Sequence, residues 1–124
     1  MDVNTINVIT LAYLGDAIYE VYIREKLIKA GIAKVEDLQK VATKYVSAKG
    51  QANILNNLLE KNLLTEEELD IIKRGRNNKR SNHPKHTDII TYKYSTGFEA
   101  LIGYLYLNNK NDRLTEILNN IEVN

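Results

Sequence analysis

Two acids stand in stretches that are otherwise apolar: Asp16 in Leu11-Ala12-Tyr13-Leu14-Gly15-Asp16-Ala17-Ile18, and Glu99 in Gly97-Phe98-Glu99-Ala100-Leu101-Ile102-Gly103. A carboxylate at the edge of a buried face loses hydration, and a cation or hydrogen bonds must compensate it. Each is thereby a candidate functional group. Glu20 follows Asp16 by one helical turn, so both carboxylates can point the same way. Plainer roles exist for all three. Asp16 can be an exposed acid, Glu20 can pair with Arg24 at the next i,i+4 step, and Glu99 can close a capping box with Thr96. The residue pattern alone leaves these alternatives open. The chain has no Cys, which excludes a disulfide scaffold, a thiol nucleophile and thiolate zinc sites. His83, His86 and Asp88 have metal-ligand chemistry, but Pro84 and an Asn-rich frame between them argue against an ordered site.

The second chemical signal is charge. From Lys73 to His86 six basic residues, Lys73, Arg74, Arg76, Lys79, Arg80 and Lys85, stand with both histidines and no acid. The net charge is only +1, so the remainder carries 11 Lys+Arg against 16 acids: a cationic loop on an acidic body. Gly75, Asn77, Asn78, Ser81, Asn82 and Pro84 supply turn chemistry there without apolar periodicity. Clustered cations in such a frame suit phosphate contacts better than a merely solvated surface. Lys49 and Lys44 offer a second basic position.

These groups must be positioned by helices. At 124 residues, 44% hydrophobic and 27% charged, the chain fits one compact, largely helical domain spanning 1–124, with the basic loop at about 73–88. No apolar run reaches the roughly 18 residues of a membrane span, and Met1-Asp2-Val3-Asn4 opens no export signal, so a cytoplasmic protein is expected. Leu11, Leu14, Ile18, Val21, Tyr22 and Ile28 predict a helix over Asn7 to Lys29 with those residues inward, stopping at Gly31. Helices follow over Val35 to Tyr45, with Leu38, Val41 and Ala42 inward, and over Ser47 to Lys61, with Ala48, Ala52, Leu55, Leu58 and Leu59 inward. Thr65-Glu66-Glu67-Glu68 matches a capping box that starts a fourth helix reaching about Arg76. Ile89 to Tyr94 reads as helical or irregular, since no second strand exists to pair with it. Phe98, Leu101, Ile102, Leu105 and Tyr106 define an apolar helix, and Leu114, Ile117, Leu118 and Ile121 a short last one. Gly15 and Gly103 each weaken a helix by about 1 kcal/mol, which suggests that two helices cross closely at these small residues.

At this point the residues reach a family. Leu14-Gly15-Asp16-Ala17 and, some eighty residues on, Phe98-Glu99-Ala100-Leu101-Ile102-Gly103 resemble the two acidic helices of the ribonuclease III catalytic domain. The closer resemblance is to the short form, Mini-ribonuclease III, which lacks a separate double-stranded-RNA-binding domain. It rests on Ala12 to Glu20, Tyr45-Val46-Ser47-Ala48-Lys49, Arg74-Gly75-Arg76-Asn77 and Tyr92 to Leu101, and covers nearly the whole chain. It implies an all-α, ribonuclease III-like helical bundle and a magnesium-dependent endoribonuclease that cleaves double-stranded or structured RNA. It also implies a homodimer with two catalytic centres, one cut per strand, and a role in maturing large-subunit precursor ribosomal RNA. Of the four acids usual in the ribonuclease III pattern, only Asp16 and Glu99 carry over as catalytic and metal-binding residues; Ala12 and Thr96 occupy the other two places. Glu20 is carried as a further metal contact through water. Lys73, Arg74, Arg76, Asn77, Lys79, Arg80, His83, Lys85 and Lys49 are the expected RNA-binding residues.

The chemistry is consistent with that set. Phosphodiester hydrolysis needs an activated water and neutralised phosphate charge, and Mg²⁺ supplies both while held by only one or two carboxylates. Duplex RNA is read mostly by shape and charge, which a cationic loop serves. Two other readings use the same residues: a catalytically inert RNA-binding relative, supported by the two absent acids, and a plain helical interaction module, opposed by the concentrated cations.

Overall fold

In the computed structural model residues 1–78 and 88–122 are described, and they are helical, with no strand among them. A short 3-10 turn over Val3–Thr5 precedes six α-helices: α1 Val8–Lys29, α2 Val35–Val46, α3 Ala48–Glu60, α4 Glu66–Arg76, α5 Ile89–Leu107 and α6 Asn111–Leu118. Local chemistry explains most boundaries. Asn7 caps α1 by accepting from the Ile9 amide at 2.8 Å, and Ser47 caps α3 by accepting from Gly50 at 3.1 Å. Thr65 and Glu68 form both bonds of the capping box at the start of α4. Asp88, whose carboxylate was a weak metal candidate, instead caps α5: it accepts from the Thr91 amide at 2.9 Å and from the Thr91 hydroxyl at 2.7 Å. The stretch from Ile89 to Tyr94 is the first part of that one long helix.

The centre of the fold is α5, buried along Ser95 to Leu105 apart from the half-buried Glu99 and packed by α1, α3, α4 and α6. Its two main crossings are made at glycines. A Cβ on Gly15 would stand 1.8 Å from the Glu99 carbonyl oxygen, and one on Gly103 would stand 2.0 Å from the Leu11 carbonyl oxygen. The backbones of α1 and α5 therefore touch directly, running antiparallel, with Leu11 against Gly103 and Gly15 against Glu99. The expected crossing at these small residues is thus present. A second contact of the same kind joins α4 to α5, where a Cβ on Gly75 would approach the Gly97 Cα to 2.8 Å.

Burial follows these crossings more than periodicity. Along α1 the buried residues are Val8, Leu11, Ala12, Gly15, Tyr19, Ile23 and Leu27, whereas Val21 and Ile28, expected inward, are 65% and 60% exposed. Leu14, Ile18 and Tyr22 are half-buried. The reason is that α1 is apolar on nearly every side, so the Gly15 contact selects the inner face. Leu38, Val41 and Ala42 of α2 are only half covered, as are Ala48 and Leu59 of α3. Tyr106 of α5, also expected inward, is 47% exposed because Gly103 turns the adjoining face toward α1. Ile121 lies beyond α6 but is buried, as expected.

Candidate active site

Asp16 and Glu99 meet at the α1–α5 crossing. Gly15 brings the α1 backbone onto the Glu99 peptide, and the next side chain, Asp16, reaches the Glu99 carboxyl within hydrogen-bonding range. Asp16 is exposed, while Glu99 is half-buried, so one carboxyl faces solvent and the other backs onto the core. Burial, then the hydrogen bond to Asp16 and the Asp16 charge, push the Glu99 carboxyl up to about 8, against a smaller downward pull from Gln51. Glu99 therefore carries its proton near neutrality. No Lys or Arg is bonded to either acid among the described residues.

Such a pair fits a hydrated divalent cation. The cation removes the repulsion that now holds a proton on Glu99, and hard oxygen donors match Mg²⁺ chemistry. No cluster of three or more His, Cys, Asp or Glu able to hold a metal occurs among the described residues, so the donor set at this crossing is two carboxylates. The places where the broader pattern has further acids are closed. Ala12 is buried, and Thr96 is buried with its hydroxyl donating to the Tyr92 carbonyl at 3.0 Å. Glu20 accepts from Arg24 at 3.0 Å, and this one-turn ion pair occupies its carboxylate. The alternative that Glu99 closes a capping box with Thr96 fails, because both lie in the interior of α5.

The sequence reading did not single out Gln51. It is 2% exposed on α3, and its Nε2 donates to Glu99 Oε2 and to the Val46 carbonyl, each at 3.2 Å. A signal was present: Gln51, Leu55 and Leu58 stand at i, i+4 and i+7 on the buried face of α3. Beside it, the buried Tyr19 hydroxyl donates to the Tyr45 carbonyl at 2.8 Å, and its ring meets Phe98 edge-on at 5.3 Å. Burial pushes the Tyr19 phenol up, so it remains a donor. Two adjacent carbonyls at the α2–α3 corner are thus tied to α1 and to the Glu99 side of α3.

The basic residues occupy the end of α4 and the start of α3. Lys73 and Arg74 are exposed in the last turn of α4. Arg76 is half-buried, lies 5.7 Å from the Tyr94 ring centre and donates to Asn77, the C-cap residue, at 3.4 Å. Lys49, exposed on the first turn of α3, lines with Asn53, Asn56, Thr91 and Tyr94 a groove of about 460 Å³ between α3 and α5. Lys79, Arg80, His83, Lys85 and His86 lie outside the described residues.

A glycine crossing of α1 and α5 that seats paired acids, with the basic end of α4 packed on α5 beside it, agrees with comparisons to known proteins. The Ribonuclease III domain family model matches residues 9–110. The chain belongs to the Mini-ribonuclease III family, the short form of ribonuclease III. It is 48% identical to the Mini-ribonuclease 3 of Streptococcus pneumoniae over 118 residues, covering 95% of this chain and 92% of that protein. To the Mini-ribonuclease 3 of Staphylococcus aureus it is 44% identical, covering 96% and 89%. A crystal structure of a Fusobacterium nucleatum protein superposes with a TM-score of 0.82 at 35% identity, covering 95% of this chain and 93% of that one. Mini-ribonuclease III is all-α and an endoribonuclease, as the resemblance implied. Its parent family acts on double-stranded RNA and is generally metal-dependent. No helix among the described residues is long and apolar enough to cross a membrane.

Proposed function

We propose that this endoribonuclease cleaves double-stranded RNA with Mg²⁺ held by Asp16 and Glu99, acting on precursor large-subunit ribosomal RNA in the cytoplasm as a homodimer. The observation that supports it is the meeting of Asp16 and Glu99 from helices about eighty residues apart, two acids without a cationic side-chain partner among the described residues. When bound, Mg²⁺ supplies neutralisation of phosphate charge and acidification of water. Asp16, on the solvent side, presents its carboxylate to the incoming phosphate site; Glu99, backed by the core, provides a fixed second oxygen donor. Lys73, Arg74, Arg76, Asn77 and Lys49 hold RNA through its phosphates; Lys79, Arg80, His83 and Lys85, which lie outside the described residues, are proposed for the same role on their charge and hydrogen-bonding chemistry alone. Glu20 serves as a contact through water only when it leaves Arg24. The ribosomal RNA assignment rests on the family resemblance.

Cutting both strands needs two centres at a set separation, and a two-fold dimer supplies them. Support comes from α1: Leu14 and Ile18 are half-buried, but Tyr13 and Val21 are 84% and 65% exposed on its outer side. Ile28, Val35 and Leu38 then line a groove of about 410 Å³ between α1 and α2.

Incubating the protein with duplex RNA tests the proposal. Paired cuts with Mg²⁺ and none with a chelator are expected, together with a dimer in sedimentation at micromolar concentration. Cleavage unchanged by chelation overturns the metal assignment, and a monomer that still makes paired cuts overturns the dimer.

A further inference from the structure

Four polar or charged side chains are buried among the described residues: Gln51, Glu68, Ser95 and Thr96. Glu68 is held by Arg113 and the Thr65 cap, and the two hydroxyls donate to the Tyr92 carbonyl. Gln51 differs. Among the described residues its Oε1 is the buried side-chain atom without a partner, while its Nε2 serves two acceptors, the Val46 carbonyl and Glu99 Oε2. The Val46 carbonyl can only accept, so it fixes the orientation of the amide: exchanging the ends would set Oε1 against that oxygen. A side chain present only to fill the α3–α5 interface would be apolar and leave no orphan acceptor.

What a buried amide adds is a neutral donor to a carboxylate. Lys or Arg in its place would neutralise the Asp16–Glu99 pair and compete with a dication, and Glu would add repulsion. The amide orients one Glu99 oxygen without altering the charge of the site. Orientation matters more here than in a four-acid site, because Ala12 and Thr96 contribute no carboxylate. Gln51 is itself anchored, since Val46 ends α2 and the adjacent Tyr45 carbonyl is held by Tyr19.

We infer that Gln51 is a positioning residue for the metal site: its amide fixes the Glu99 carboxylate in the orientation that binds a divalent cation together with Asp16. This rests on the reading of Glu99 as a metal-binding residue.

The test is Mn²⁺ binding to the RNA-free protein by electron paramagnetic resonance, for the parent, Gln51→Met, Gln51→Asn and Glu99→Gln. Gln51→Met keeps length and volume and removes both amide functions; Gln51→Asn keeps the amide but shortens its reach. The inference expects both Gln51 variants to bind Mn²⁺ about 10–100-fold more weakly, with kcat reduced, partial recovery at high Mg²⁺ and an unchanged KM for RNA. Parental Mn²⁺ affinity and kcat in Gln51→Met, with only Gln51→Asn impaired, overturns it in favour of simple packing. Parental behaviour of Glu99→Gln overturns instead the assignment of Glu99. Should Gln51→Met fail to fold, Mg²⁺ titration of the parent followed by nuclear magnetic resonance decides. The Gln51 side-chain amide signals are expected to shift with metal, and to stay unmoved in Glu99→Gln. Signals that do not move in the parent overturn the inference.

Discussion

Glu68 and Glu99 are the same residue type, each withdrawn from solvent on a helix of the core, and their surroundings treat them oppositely. Glu68 accepts from Arg113 Nε and Nη2, each at 2.7 Å, and from the Thr65 amide at 2.9 Å. Burial pushes its carboxyl up, but the Arg113 hydrogen bonds, the Thr65 amide and the guanidinium charge together hold it below the usual range. Glu99 faces another acid and rises to about 8. The first arrangement is closed: every donor it needs is in the chain, and it ties α4 to α6. The second is open and is completed by a cation from outside. A buried acid thus marks a functional site by the charge of its partner, not by burial alone.

The strongest way to break the comparison is to remove the open pair's charge. Asp16→Asn keeps shape while removing a metal-binding oxygen's charge, and is expected to lower kcat by about 1,000-fold or more, the loss of roughly 4 kcal/mol of transition-state stabilisation. RNA affinity measured in Ca²⁺ should stay near the parent's. Retained turnover would take Asp16 out of the chemistry.

Glu68→Gln disturbs the closed pair instead and leaves Arg113 with only the exposed Glu116 carboxylate as its charge partner. Urea unfolding should show a loss of about 3 kcal/mol, while the folded fraction keeps its specific activity. An unchanged midpoint would show that the Arg113 pair adds nothing net.

The two acids also predict opposite pH dependence. For Glu99 the folded value of about 8 stands above the ordinary 4.5, so its contribution to stability is present below about 4.5 and is lost as pH rises toward 8. For Glu68 the folded value is depressed, so its contribution is present at neutral pH and is lost as pH falls through that folded value. Metal-free protein should therefore lose on the order of 2 kcal/mol between pH 5 and 8.5, a loss reversed by Mg²⁺ and absent in Glu99→Gln. Thermal melts with and without Mg²⁺ at both pH values measure it. A Mg²⁺ effect equal at pH 5 and 8.5 would contradict the raised Glu99 carboxyl.

The smallest expected effects lie on the surface. Lys49→Ala and Arg74→Ala should each reduce the slope of log affinity against log salt for duplex RNA by about one, with kcat at saturating RNA nearly unchanged. A parental slope in either variant would remove that residue from the RNA path.

Much of this was legible in the residues. The Thr65–Glu68 box, the Asn7 and Ser47 helix starts, the two isolated acids, and Gly15 with Gly103 are local signals, and local chemistry is what a sequence displays directly. The Glu20–Arg24 pair is likewise a one-turn interaction that needs no tertiary contact. Gln51 was readable only as a position on the buried face of α3, since nothing in its neighbours names Glu99, forty-eight residues away, as its partner.

The sequence by itself therefore determined most of the helices, the Thr65–Glu68 cap, the acid pair as candidates and the family to which they belong, while the Asp88 cap and the start of α5 at Ile89 came from the structure. Tertiary structure decided which face of α1 turns inward, leaving Tyr13, Val21 and Ile28 outside, because a helix apolar on nearly every side gives periodicity no basis for choosing. It likewise decided that Ala12 and Thr96 are sealed and that Glu99 is gripped by Gln51. Those outcomes follow from the contact of two backbones at Gly15 and Gly103, where the absence of two Cβ atoms sets the distance between helices and hence which side chains meet.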